Sequence, residues 1–142
     1  MSLKIQPTKL AFKKAESEWY NYHNTLKEIA KLREEIMNPV KELDENIGGG
    51  KSNIPGKPTE RIATRLVTHK QLLYLQEVVE AIEKVYNACP SNYKELVRLR
   101  YWSKNNPLTW EGIALRLNVS ERQARRWRDE IIYATLDVLG WR

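Results

Sequence analysis

Apolar residues recur at alternating spacings of three and four along two long stretches of the chain. In the first, from Thr8 to Met37, they are Phe12, Ala15, Trp19, Tyr22, Leu26, Ile29 and Ile36, with Arg33 in the one gap. That spacing draws a continuous seam along an α-helix, as in a coiled coil or helical hairpin. Asn38-Pro39 ends this helix, because the residue before a proline avoids the α region. The second stretch runs from about Thr59 to Ala88, where Leu72, Leu75, Val79, Ile82 and Tyr86 repeat the seam and Cys89-Pro90 stops it. Between them, from Asn38 to Lys57, Gly48-Gly49-Gly50, Pro55 and Gly56 read as a linker. Two matching seams fit an antiparallel pair within one chain, or a homo-oligomer that shares the long helices. The pattern is the same for both.

Beyond Pro90 the periods shorten. A helix from Asn92 to about Ser103 carries Leu96, Val97, Leu99 and Trp102 beside Arg98 and Arg100, with Ser91 as the candidate cap. Lys104 to Pro107 reads as a turn. Thr109 can cap a short helix from Trp110 to Leu117, Asn118 and Val119 make a turn, and Ser120 can cap a last helix that Gly140 ends. No stretch reads convincingly as a strand. The expected fold is all-α: a long N-terminal helix (1–37), a Gly-rich linker (38–57), a second long helix (58–90) and a C-terminal helix-turn-helix domain (91–142).

The helix-turn-helix rests on L-T-W-E-G-I-A-L-R-L-N-V-S-E-R-Q-A-R-R-W-R. Where its second helix crosses the first, a small residue is needed, and Ala114 stands there. Ile113, Leu117, Val119, Ala124 and Trp127 fall where apolar side chains must plug the angle between the helices. The turn needs a residue that tolerates left-handed backbone, and after glycine Asn118 is the next best choice. An ordinary helical hairpin accounts for the apolar positions equally well, but not for the other face: Glu121, Arg122, Gln123, Arg125, Arg126 and Asp129. In this register Arg122, Gln123 and Arg126 point outward near the start of the helix, the part that enters a major groove. Arg reads guanine bidentately and Gln can read adenine. Arg125 and Arg128 are better placed for phosphate. Glu121 can accept from cytosine or simply favour the positive helix N-terminus. Ser120 reads as a cap before it reads as a base contact. Thr109 and Trp110 can reach backbone phosphate, with Trp110 alternatively part of the core. Four arginines between Arg122 and Arg128 repel one another unless an anion is near.

Charge sharpens this picture. The chain of 142 residues carries a formal net charge of +6. From Ser91 onward there are ten Lys and Arg against six acids, and the bases are mostly Arg, whereas up to Lys57 they are Lys apart from Arg33. Arg is the better fork for bases and phosphates, so the C-terminal third favours a polyanionic partner. One cysteine, Cys89, excludes a disulfide within the chain and suits a reducing compartment. No apolar run reaches membrane-span length, and the N-terminus lacks the apolar core of a signal peptide, so a cytoplasmic protein without membrane contact is expected. Gly48-Gly49-Gly50-Lys51-Ser52 resembles a phosphate loop, but Glu45 stands where that motif needs its first glycine. Lys51 and Lys57 there fit a contact to DNA. Two histidines and one cysteine assemble no zinc site, and no Ser-His-Asp arrangement suggests itself. No metal, cofactor or enzymatic activity is expected. Trp102, Trp110, Trp127 and Trp141 read as a small core, with stacking on single-stranded bases as the alternative.

With these residues in view, the chain resembles the RinA family of phage transcriptional activators. The resemblance lies in N-I-G-G-G-K-S at 46–52, K-P-T-E at 57–60, A-I-E-K-V-Y at 81–86, L-T-W-E-G-I-A at 108–114, R-W-R-D-E-I at 126–131 and L-G-W at 139–141. It implies activation of phage late genes. That family's C-terminal part is similar to region 4 of bacterial sigma factors, which implies a promoter target for Arg122, Gln123, Arg125 and Arg126 and contact with RNA polymerase. Two rivals share the helical pattern: a small terminase-like DNA-recognition subunit of a phage packaging machine, and a helical protein–protein adaptor.

Overall fold

Thr8 starts the first helix: its Oγ1 accepts the Ala11 N–H at 3.0 Å, filling one of the donors that a helix start leaves without an intrahelical partner. The computed structural model describes residues 6–38, 58–104 and 107–142, and among them every regular element is an α-helix. In chain order these are α1 (Lys9–Tyr20), α2 (Tyr22–Met37), α3 (Pro58–Ala88), α4 (Ser91–Arg100), α5 (Trp110–Leu117) and α6 (Glu121–Leu139). The all-α expectation holds. The glycine-rich linker beyond Asn38 and the Gly48–Ser52 motif fall outside the described residues.

The long N-terminal helix is two helices. Asn21 breaks it, with φ −90° and ψ 2°, while its N–H still reaches the Ser17 carbonyl at 3.0 Å. Asparagine is a weak helix former whose side chain competes for backbone groups. The break moves the buried face. Ala11, Ala15 and Trp19 are buried on α1, but on α2 the buried set is Thr25, Ile29 and Leu32, while Leu26 is 38% exposed and Arg33 faces solvent. α3 matches its expected span, with Pro58 at its first position, where the missing N–H costs nothing. The cap of α4 differs from expectation. The helix begins one residue earlier, so Pro90 occupies the capping position without a side-chain hydrogen bond, and Ser91 lies inside the first turn.

Packing divides the described residues into two units: those up to His23 with Val78–Arg142, and those of Asn24–Glu77. α1 thus belongs to the unit that holds the C-terminal helices. That unit's core joins Ala11, Ala15 and Trp19 of α1 to Val78, Ile82 and Val85 of α3, Leu96 and Val97 of α4, Ile113 of α5, and Ala124, Ile131, Ile132 and Leu136 of α6. Trp102 anchors an aromatic cluster. Its ring stacks on Tyr22 at 4.9 Å and on Trp19 at 6.0 Å, and its Nε1 donates to the Trp19 carbonyl at 3.1 Å. The four C-terminal tryptophans are half-buried against the core, as expected, and the fully buried one is Trp19. Cys89 is half-buried, and burial pushes its thiol pKa up, away from nucleophilic thiolate. In the second unit α2 buries Thr25, Ile29 and Leu32 along one face.

Candidate nucleic-acid interface

Three residues fix the geometry between α5 and α6. Thr109 Oγ1 accepts the Gly112 N–H at 3.1 Å and starts α5. Asn118 ends it in left-handed backbone, φ 58° and ψ 45°, the one non-glycine residue with positive φ among those described. Ser120 Oγ accepts the Gln123 N–H at 3.0 Å and starts α6. Three residues, Asn118 to Ser120, thus join the two helices. Behind the turn Ile113 and Ala124 are fully buried and Ala114 is 6% exposed, while Leu117, Val119 and Trp127 are half-buried against the core. A β-branched residue at position 118 meets the left-handed penalty in full. Asn118→Val is expected to cost about 1–2 kcal/mol and Asn118→Gly almost nothing, measured by thermal unfolding; equal melting temperatures would mean that the turn does not hold this backbone in solution.

On the solvent side of α6, Glu121, Arg122, Arg125 and Arg126 are exposed, and with half-buried Asp129 they line a shallow polar hollow. Arg125 sits 3.6 Å from Glu121, an ion pair with both side chains about half exposed and so of little energetic weight. Arg122 and Arg126 have no ion-pair partner among the described residues, and they lie one helical turn apart, where like charges repel. Gln123 is half-buried and outside the hollow, on the far side of Arg126. Both cap hydroxyls are on exposed residues, so each keeps its own O–H available while its oxygen accepts from the helix.

Arg128 departs from expectation. Its side chain is 19% exposed, and its guanidinium is held by Glu16 at 3.0 Å and by Asp129 at 2.6 Å. Burial works against its charge, but the hydrogen bond to Asp129 and the charge of Glu16 outweigh it and push its pKa up. Its charge is thus already met by two carboxylates of the fold. Sequence patterning could not show this, because Glu16 lies 112 residues away.

A second feature had no signal in the periodicity. The guanidinium carbons of Arg100, Arg128 and Arg125 lie 4.7, 5.0 and 5.9 Å from the centre of the Trp110 ring. Cations over an indole face are attracted by its quadrupole, so Trp110 both packs on the core and gathers positive charge at the start of α5. Arg100 is anchored there by a hydrogen bond from its Nη1 to the Leu108 carbonyl at 3.1 Å. Behind α6, Tyr93 stacks on Trp127 at 5.0 Å and its hydroxyl donates to Glu130. Burial, reinforced by Glu130, pushes the Tyr93 pKa up to about 12, so this donor stays protonated at physiological pH.

Among the described residues no group of three or more His, Cys, Asp or Glu is placed to hold a metal ion, and no helix is long and apolar enough to cross a membrane.

The chain is similar to the transcriptional activator rinA of Staphylococcus phage phi11, with 28% identity over 128 residues that cover 90% of this chain and 89% of that protein. No solved structure matches the chain. The family described as "Protein of unknown function (DUF722)" matches residues 18–136, a span that takes in the end of α1, the turn and most of α6, and the chain belongs to this family.

Proposed function

We propose that the chain is a phage transcription regulator that binds double-stranded DNA through the helix-turn-helix of α5 and α6 and activates late genes from a promoter, together with host RNA polymerase in the bacterial cytoplasm. The observation that carries this is the pair Arg122 and Arg126: solvent-facing, one turn apart, and without an ion-pair partner among the described residues, on a helix whose start is fixed by the Ser120 cap and the left-handed Asn118. The similarity to a transcriptional activator supports it independently. Arg122, Gln123 and Arg126 would read base edges in the major groove. Arg125, with the hydroxyls of Ser120 and Thr109, would contact phosphate. Arg128 is left out, because Glu16 and Asp129 hold it. DNA contact would belong to residues 91–142, and the long helices would serve assembly into a homo-oligomer.

The test is binding of the purified chain to fragments of its own genomic neighbourhood at two salt concentrations, against a random duplex competitor. One fragment is expected to survive both the higher salt and the competitor. Equal binding to every fragment, collapsing with salt, would reduce the arginines to an electrostatic patch and overturn promoter recognition.

A further inference from the structure

Two arginines of α6, Arg125 and Arg128, could reach phosphate by their position alone, yet Arg128 is drawn the other way. Glu16 of α1 accepts two hydrogen bonds on its Oε2, from the Tyr101 hydroxyl at 2.6 Å and from Arg128 Nη1 at 3.0 Å. The Arg128 Nε donates to Asp129 at 2.6 Å, and its guanidinium carbon lies 5.4 Å from the Phe12 ring of α1 and 5.0 Å from the Trp110 ring of α5. Tyr101, which donates to the same carboxylate oxygen, is only 5% exposed. Arg128 and Glu16 are each 19% exposed along the side chain, whereas Arg125, three residues earlier, is 53% exposed. A guanidinium held between two carboxylates and largely shielded from solvent is not placed to neutralise a phosphate and so to release counterions from DNA, whereas the exposed, loose pair of Arg125 with Glu121 leaves that arginine able to do so.

We propose that Glu16 is a positioning residue for DNA recognition: it holds Arg128 on the α1 side of α6, so that the helix offers Arg122, Arg125 and Arg126 to the duplex and withholds Arg128. This rests on the DNA-binding function proposed above. The N-terminal helix thereby sets how many cations the reading helix presents, and so how strongly sequence-independent phosphate contacts compete with base reading. The Asp129 side chain is 43% exposed and adjacent to Arg128 on the same helix, a surface pair of little weight by itself, so removing the charge of Glu16 releases a fourth arginine to the backbone and makes binding tighter, more salt-sensitive and less selective.

The experiment measures binding of the full chain to a random-sequence duplex across a salt series. Neutralised phosphates change the slope of log affinity against log salt by about 0.9 each. Arg125→Gln is expected to flatten the slope by about that amount, as a phosphate contact should. Arg128→Gln is expected to leave it unchanged. Glu16→Gln, which keeps an acceptor for Tyr101, is expected to steepen it by about 0.9, and the double variant Glu16→Gln/Arg128→Gln to return it to the wild-type value. A purely structural role for Glu16 would lower stability without steepening the slope. Flattening by Arg128→Gln would show that Arg128 already touches DNA and would overturn the proposal, even if Glu16→Gln failed to fold. An unchanged slope in a folded Glu16→Gln chain would overturn it equally. If the wild-type chain binds no duplex at all, the DNA-binding function falls and this proposal with it; if it binds and only the Glu16 and Arg128 arms disagree, the positioning role alone is lost.

Discussion

Trp19→Ala is expected to destabilise the C-terminal unit by about 3–5 kcal/mol, the usual cost of emptying a buried aromatic site. Trp19 is fully buried and joins three elements. Its Nε1 donates to the buried Thr135 Oγ1 of α6 at 3.0 Å, and that hydroxyl in turn donates to the Ile131 carbonyl at 2.8 Å. Its own carbonyl accepts the Trp102 Nε1, and its ring meets those of Tyr101 and Trp102. Whole domains are stable by only about 5–15 kcal/mol, so this one change, far in sequence from the turn, should unfold a large share of the unit or abolish its cooperative transition. Urea unfolding followed by circular dichroism checks it. An unaltered midpoint would mean that α1 does not pack into this core in solution. Trp19→Phe keeps most of the apolar volume and removes the indole donor from Thr135; it is expected to cost about 1–3 kcal/mol, the range for a buried polar group losing a partner.

What could be read from the sequence and what could not divide along the range of the interactions. Thr109, Asn118, Ser120 and Gly140 announce themselves because a cap or a left-handed residue acts within three or four positions, and each stands where expected. The plug residues Ile113 and Ala124 follow from the same local geometry. Ser91 shows the limit of that logic: a serine after a proline is a plausible cap, but the proline itself already holds extended backbone, φ −62° and ψ 162°, and starts the helix one position sooner. The seam on the first stretch misled for a different reason. Three-four spacing marks a helix that buries a face, without naming the partner or guaranteeing continuity. Asn21 resets the face, so Thr25 and Leu32 are buried while Leu26, expected on the seam, is exposed. The membership of α1 in the C-terminal unit and the capture of Arg128 by Glu16 depend on contacts across more than a hundred residues, about which periodicity carries no information. Arg125 and Arg128 look equivalent as letters, and only tertiary structure separates an exposed cation in a loose surface pair from one shielded between two carboxylates.

Arg126→Ala should move stability and binding in opposite directions. Arg126 is exposed, lies one turn from Arg122 and has no ion-pair partner among the described residues, so its removal relieves an i,i+4 repulsion that costs a helix about 0.2–0.5 kcal/mol. The chain should unfold at an equal or slightly higher temperature. Binding to the preferred duplex should weaken by about 1–3 kcal/mol if the guanidinium is bidentate to a guanine edge, because base readout loses both hydrogen bonds at once. Affinity for random duplex should fall much less, so the ratio between the two should shrink. Arg125→Ala makes the contrast: a phosphate contact is lost equally on all sequences, and the ratio should stay where it was. A retained ratio for Arg126→Ala would move Arg126 from base reading to the backbone, and would leave Arg122 and Gln123 as the groups on which sequence recognition has to rest.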